Sequence, residues 1–164
     1  MLKGRIYLYA NILIELFESD SALSKSLHRL LAVSYRDLIL VTSELTLAEV
    51  LVLPIRKRDE QSISRYSLFF DSGNFWINGL VNKEVLSLSA NIRAKRQGYK
   101  LPDAIHLATA YLNGCSHFFT GDRRLFGQIK FNDYEFRYLK HGPKTIDILR
   151  PDEEYIETLV ASLI

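Results

Sequence analysis

Residues 5–17, RIYLYANILIELF, combine a short apolar strand pattern with a helical pattern that follows it at once. Residues 5–9 (RIYLY) predict a buried strand, and the apolar side chains of Ile12, Leu13, Leu16 and Phe17 then recur at the spacing of one helix face. The same change of pattern returns along the chain, where strands predicted at 38–42 (LILVT), 75–81 and 117–120 (HFFT) are separated by helical segments. This alternation predicts an α/β fold with a mostly parallel central sheet flanked by helices on both faces.

The other predicted elements complete this alternation. Helices are expected at 24–33, from Ser43 toward Pro54, at 59–70, 82–97 and 102–112, briefly at Asp122, and after Pro151; extended segments are expected near 131–139 and 145–149. The sequence has no linker, internal repeat or region of low complexity. Residues 1–164 are therefore expected to form a single domain, and the sequence leaves the role of its C-terminal extension, 140–164, open.

Composition excludes several classes of protein. The 164 residues are 48% hydrophobic and 24% charged, which is an ordinary globular balance and long enough for a core without disulfides. Cys115 is the only cysteine, so the sequence predicts a buried thiol and no zinc cluster. The N-terminal apolar run is interrupted by Glu15 and Glu18, and no stretch reaches the ~18 apolar residues of a membrane span. We therefore expect a cytoplasmic protein with no membrane partner.

Three carboxylates stand out by their position. Glu49 interrupts the apolar run LTLAEVLVL, Asp103 follows Pro102 in the first turn of a predicted helix, and Asp122 follows the strand HFFT. In parallel sheets, ligands bind beyond the carboxyl ends of the strands, which is where two of these residues are predicted to lie. Taken singly, Asp103 and Asp122 are equally explained as helix-start residues, and Glu49 as a buried ion-pair partner.

Together, the three carboxylates predict a cation site. Carboxylates brought close to one another resist full ionisation, and a hard divalent cation relieves that repulsion. A site rich in carboxylates and poor in His and Cys suits Mg²⁺ or Mn²⁺ better than zinc.

Four segments in order resemble the PIN-domain nucleases, and within them the VapC-like toxins of bacterial and archaeal toxin–antitoxin pairs. They are IYLYANILIEL, SELTLAEVL, LPDAIHLATA and FFTGDRRL, and they span residues 6–125. The resemblance implies a parallel sheet with flanking helices and a Mg²⁺-dependent endoribonuclease that cleaves RNA. It also implies a small antitoxin as the neutralising partner, and a homodimer is common in the family.

The resemblance assigns roles residue by residue. Glu49, Asp103 and Asp122 would bind the metal and carry catalysis, while Asn11 and Thr120 match supporting polar positions; Asn11 is equally explained as a helix cap or turn residue. His106, one helical turn after Asp103, is interpreted as a packed or partner-facing residue. Four basic residues are candidates for binding the RNA backbone beside the acidic site: Arg93, Arg96, Arg123 and Arg124.

Tyr9 departs from the family pattern. The family has an aspartate at the end of the first strand, and this chain has Tyr9 in the segment Tyr9-Ala10-Asn11. A neutral phenol is a poor Mg²⁺ ligand, and its hydroxyl is expected to hydrogen-bond Asp103 or Asp122 instead. Either a natural, degenerate member of the family or a substitution that silences a toxic nuclease explains Tyr9. The sequence thus predicts an endoribonuclease toxin that is impaired or inactive, with a non-catalytic module that binds RNA or an antitoxin as the alternative.

Overall fold

The computed structural model describes residues 4–33, 38–72, 76–131 and 145–164. Its strands are Gly4–Leu8 (β1), Leu38–Ser43 (β2), Trp76–Gly79 (β3), His117–Phe119 (β4), Gly127–Lys130 (β5) and Thr145–Leu149 (β6). Its helices are Ala10–Glu18 (α1), Ala22–Val33 (α2), Glu44–Val50 (α3), Val52–Lys57 (α4), Glu60–Asp71 (α5), Lys83–Lys95 (α6), Leu101–Leu112 (α7) and Glu153–Ala161 (α8).

The strands form one sheet in the order β3-β2-β1-β4-β6-β5. The four pairs β3–β2, β2–β1, β1–β4 and β4–β6 are parallel. Only the edge strand β5 runs antiparallel, against β6. Strand β1 lies between β2 and β4, with Tyr7 opposite Val41 on one side and opposite Phe118 on the other. The ends of β1, β2 and β4 therefore meet at the same edge of the sheet.

Helices cover both faces of the sheet, as predicted. Because successive side chains of a strand point to opposite faces, Ile6 and Leu8 of β1 pack with α1, α2 and α8, whereas Tyr7 packs with α6 and α7. Both clusters are buried, and the strands are correspondingly rich in apolar residues, as parallel sheets require.

The predicted α/β fold is confirmed, and most elements lie within a few residues of their predicted bounds. Ser43 and Asn82 cap α3 and α6 as predicted, accepting hydrogen bonds from the amides of Leu45 and Val85. The helix predicted from Ser43 toward Pro54 is divided at Leu51 into α3 and α4.

The brief helix predicted at Asp122 is wrong. A turn follows β4, and the chain then enters β5, a strand that the sequence did not predict. The segment GDRRLF has no apolar periodicity to sustain a helix, and the side chain of Asp122 is used to close the turn.

The C-terminal segments add to both the sheet and the core. The extended segment at 145–149 and the helix after Pro151 are confirmed as β6 and α8, whereas residues 132–139 of the other predicted extended segment lie outside the described residues. Cys115 is a free thiol and is fully buried, as expected, and burial raises its pKa. Within the described segments, no helix is long and apolar enough to cross a membrane.

Candidate active site

Tyr9 immediately follows β1 at the carboxyl edge of the sheet. Its amide donates to the carbonyl of Phe119, and the whole residue is only 8% exposed. The phenol hydroxyl donates a hydrogen bond to Oδ1 of Asp103 at 3.0 Å. Burial, followed by the negative charges of nearby Asp103, Glu49 and Asp122, raises the pKa of Tyr9 well above its usual range. The phenol is therefore a neutral hydrogen-bond donor.

Asp103 is buried in the first turn of α7. Only 2% of this residue is exposed, and its Oδ2 accepts a hydrogen bond from the backbone amide of Lys100 at 3.1 Å, which helps to close the start of the helix. Its Oδ1 lies 3.9 Å from Nη2 of Arg124. Both carboxylate oxygens of Asp103 therefore have partners within the chain.

Glu49 contacts His106 across the helix interface. Oε2 of Glu49 lies 2.9 Å from Nε2 of His106, and Nδ1 of the same ring lies 2.6 Å from the hydroxyl of Tyr7. His106 and Tyr7 are completely buried, whereas 30% of the Glu49 side chain is exposed. The Glu49 carboxylate therefore lies at the border between the core and solvent, and His106 holds it there from the buried side.

Asp122 lies in the turn after β4, and neighbouring polar groups fix the position of that turn. The hydroxyl of Thr120 accepts from the amide of Asp122 at 3.0 Å and from Nδ2 of Asn11 at 3.3 Å, and Oδ1 of Asn11 accepts from the amide of Gly121 at 2.9 Å. Asp122 pairs with the guanidinium of Arg124, whose Nε lies 3.1 Å from each carboxylate oxygen. The hydrogen bonds from Arg124 hold the pKa of Asp122 below its usual value.

Comparison with known proteins identifies the family of the chain. The family model for the PIN domain matches residues 6–132, which include every residue described above. The chain belongs to the PIN-domain family. No curated protein matches the chain.

Solved structures of a VapC toxin, a toxin–antitoxin complex and a VapBC complex share this fold. VapC20 of Mycobacterium tuberculosis, a toxin that cleaves the sarcin–ricin loop, is 19% identical with a TM-score of 0.58 over 71% of this chain and 91% of its own. A toxin–antitoxin complex from Klebsiella pneumoniae is 25% identical, with a TM-score of 0.54 over 71% of this chain and 86% of its own. VapBC2 of Rickettsia felis, bound to a promoter DNA fragment, is 14% identical, with a TM-score of 0.59 over 91% of this chain and 100% of its own.

The PIN fold brings Glu49, Asp103 and Asp122 to one edge of the sheet around Tyr9, together with Asn11 and Thr120. The four arginines are spread more widely. Arg93 is exposed on α6, Arg96 lies with its guanidinium carbon 5.9 Å from the ring centre of Tyr99, and Arg123 is exposed in the turn. Among the described residues, Arg124 is the one of these four that contacts the acidic residues: it pairs with Asp122, and its Nη2 lies 3.9 Å from Oδ1 of Asp103.

The side chains as they stand do not fit a divalent cation. Within the described ranges, no group of three His, Cys, Asp or Glu side chains is arranged to hold a metal ion. Each carboxylate instead has a partner in the chain: Asp103 with Tyr9, Glu49 with His106, and Asp122 with Arg124. The phenol of Tyr9 lies just after β1 and donates to Asp103.

Sequence reasoning predicted the hydrogen bond from Tyr9 to Asp103, which is confirmed, and missed the pairings of Glu49 with His106 and of Asp122 with Arg124. It treated His106 as a packed or partner-facing residue, and the structure buries it, but its bond to Glu49 was not predicted. A signal was present, because the alternation of β1 places Tyr7 and Tyr9 on the same face of the sheet, toward α7. The spacing of three residues between Asp103 and His106 likewise places both on one side of that helix.

Proposed function

We propose that this PIN-domain chain is a VapC-type toxin of the endoribonuclease class, which cleaves RNA phosphodiester bonds, and that Tyr9 leaves it impaired or inactive. The observation that carries the proposal is the hydrogen bond from the Tyr9 hydroxyl to Asp103. It places a neutral donor at the end of β1, where the PIN-domain nucleases that this sequence resembles have a metal-binding aspartate.

The family and its structural neighbours support the toxin assignment. The neighbours include a toxin that cleaves the sarcin–ricin loop and complexes of toxins with antitoxins. We therefore propose an RNA substrate, a cognate antitoxin and a homodimer as the partners of this chain, and a cytoplasmic location. We also propose that residues 1–164 act as a single domain, since β6 pairs with β4 and α8 packs in the same core cluster as α2.

Each site residue has a proposed role. In a Tyr9→Asp variant, the carboxylates of Glu49, Asp103 and Asp122 would bind Mg²⁺ or Mn²⁺, which supplies charge stabilisation at phosphate when bound. Asn11 and Thr120 support the turn that carries Asp122. The exposed Arg93 and Arg123 and the half-buried Arg96 are proposed to bind RNA phosphates, and Arg124 is proposed to do so once Asp122 no longer holds it.

One observation favours a second function, a non-catalytic binding module. All three carboxylates are paired within the chain, so the fold has no unmet need for a cation. Such a module would retain RNA or antitoxin binding and would not regain cleavage when position 9 is changed.

The deciding experiment compares the chain that carries Tyr9 with Tyr9→Asp on mixed RNA, with Mg²⁺, with Mn²⁺ and with a chelator. Loss of groups that merely support a metal ligand costs about 10–100-fold, so replacing a ligand should cost at least about 100-fold in rate. We expect Tyr9→Asp to cleave RNA and the chelator to stop it. The chain that carries Tyr9 should cleave at least about 100-fold more slowly.

Tyr9→Asn is the matched control, because it removes the ring without adding a negative charge. Silence of Tyr9→Asn beside an active Tyr9→Asp would show that the charge, and not the freed space, restores cleavage. If no variant cleaves any RNA while all remain folded, the binding module is the better description.

A further inference from the structure

His106 is a completely buried imidazole within an otherwise apolar stretch of α7. Burying a polar ring without hydrogen bonds is costly, and this ring uses both nitrogens, toward Tyr7 on one side and Glu49 on the other. Its edge also contacts the ring of Tyr9, with centroids 4.6 Å apart and planes at 70°. His106 thus contacts both the family metal position and one of the proposed metal ligands.

The chemistry of its partners sets the direction of both hydrogen bonds. An ionised carboxylate only accepts, so Nε2 of His106 must carry the hydrogen that is donated to Glu49. When the ring carries a single hydrogen, Nδ1 is therefore an acceptor, and the Tyr7 hydroxyl donates to it over 2.6 Å. Burial keeps the hydrogen on the Tyr7 hydroxyl, because it raises the pKa of that phenol far above its ordinary value.

Tyr7 itself is held rigidly. It lies in β1, paired with β2 on one side and β4 on the other, and its ring stacks on Phe118 at 4.9 Å with planes at 9°. The direction of the bonds therefore runs from the centre of the sheet, through the imidazole, to a carboxylate that is partly exposed at the edge of the site.

We propose that His106 is a positioning residue: with its hydrogen held on Nε2 by Tyr7, it fixes the Glu49 carboxylate at the edge of the acidic site. Among the described residues, Glu49 has no other side-chain partner, so its orientation depends on this contact. The geometric assignment is independent of cleavage, whereas its effect on RNA cutting rests on the proposed function.

The first test is spectroscopic and uses the chain that carries Tyr9. Nitrogen-15 NMR of the imidazoles at neutral pH should show His106 as a single neutral tautomer, with hydrogen on Nε2 and none on Nδ1. Tyr7→Phe should shift the Nδ1 resonance of His106, because that nitrogen loses its donor, and Glu49→Leu should shift Nε2. Tyr66→Phe, which removes a tyrosine hydroxyl on the opposite face of the sheet, should shift neither. A ring protonated on Nδ1, or on both nitrogens, would overturn the assignment.

The second test uses conservative rescue in the Tyr9→Asp background. A glutamine at position 106 presents an amide hydrogen close to Nε2, so His106→Gln should retain most of the cleavage rate, whereas His106→Ala should lose it. Misplacing a group by about 1 Å can cost about 100-fold, so we expect His106→Ala to lower kcat by about 10–100-fold with KM little changed. His28→Gln, at an exposed position of α2, is the control for histidine replacement.

The two tests fail in different ways. If Tyr9→Asp does not cleave RNA, the proposed function loses its support, but NMR of the chain that carries Tyr9 still decides the tautomer of His106. If Tyr9→Asp cleaves and His106→Ala cleaves equally fast, His106 merely fills space and the positioning role is wrong.

Discussion

Tyr9 exchanges one kind of interaction with Asp103 for another. An aspartate at this position would repel the carboxylate of Asp103 unless a cation lay between them, whereas the phenol donates a hydrogen bond to it. Tyr9→Phe keeps the ring and removes only that donor, leaving Oδ1 of a buried carboxylate with the more distant Arg124. We expect the free energy of unfolding to fall by about 1–3 kcal/mol, measured by urea denaturation. Tyr66→Phe should cost less, because its acceptor Glu18 is exposed and remains hydrated; equal losses would contradict a specific role for the Tyr9 bond.

The pairing of Arg124 with Asp122 predicts a dependence of stability on pH. Hydrogen bonds from Arg124 lower the pKa of Asp122, so the folded chain holds this proton less tightly than the unfolded chain. The resulting stabilisation is present above the ordinary pKa of aspartate, near pH 4, and is lost as pH falls through the lowered value. Arg124→Gln should raise the pKa of Asp122, measured by carboxyl carbon NMR, and should flatten the acid limb of the stability profile. Arg123→Gln, which alters the adjacent exposed arginine, should change neither.

At the scale of elements, the position of α7 on the sheet determines where Asp103 and His106 lie. Gly79 of β3 is packed against α7, since a Cβ placed there would meet the methyl of Thr109 and lie 2.9 Å from Nδ2 of Asn113. Gly79→Ala should therefore push the helix from the sheet and lower the free energy of unfolding by about 1–3 kcal/mol, measured by urea denaturation. Gly98→Ala meets no atom within 4 Å and should be nearly neutral. Equal stability of the two variants would mean that α7 can shift without cost.

The sequence predicted the elements with strong local signals and missed those that depend on the surrounding structure. The buried run in β1 and the capping residues Ser43 and Asn82 act within a few residues, so their elements were placed well. The edge strand β5 is short and has only Ile129 buried, so it carries no apolar pattern that predicts a strand. The acidic site shows the same division: its carboxylates were recognisable, whereas the bond between Glu49 and His106 arises only when α3 meets α7.

For the molecule as a whole, internal pairing of the acidic site implies a fold that does not depend on a divalent cation. A ligand stabilises a protein only to the extent that it binds the folded state, by about 2.7 kcal/mol at one hundred times its Kd. We expect Mg²⁺ or Mn²⁺ to leave the Tm of the chain that carries Tyr9 unchanged. Tyr9→Asp should have a lower Tm without metal, because it gains a repelling charge and loses the bond to Asp103, and should recover stability as Mn²⁺ is added. Tyr9→Asn should lose the bond yet gain little from Mn²⁺. A saturable rise in the Tm of the chain that carries Tyr9 would show that this chain binds the cation. Tyr9 would then not explain a loss of cleavage.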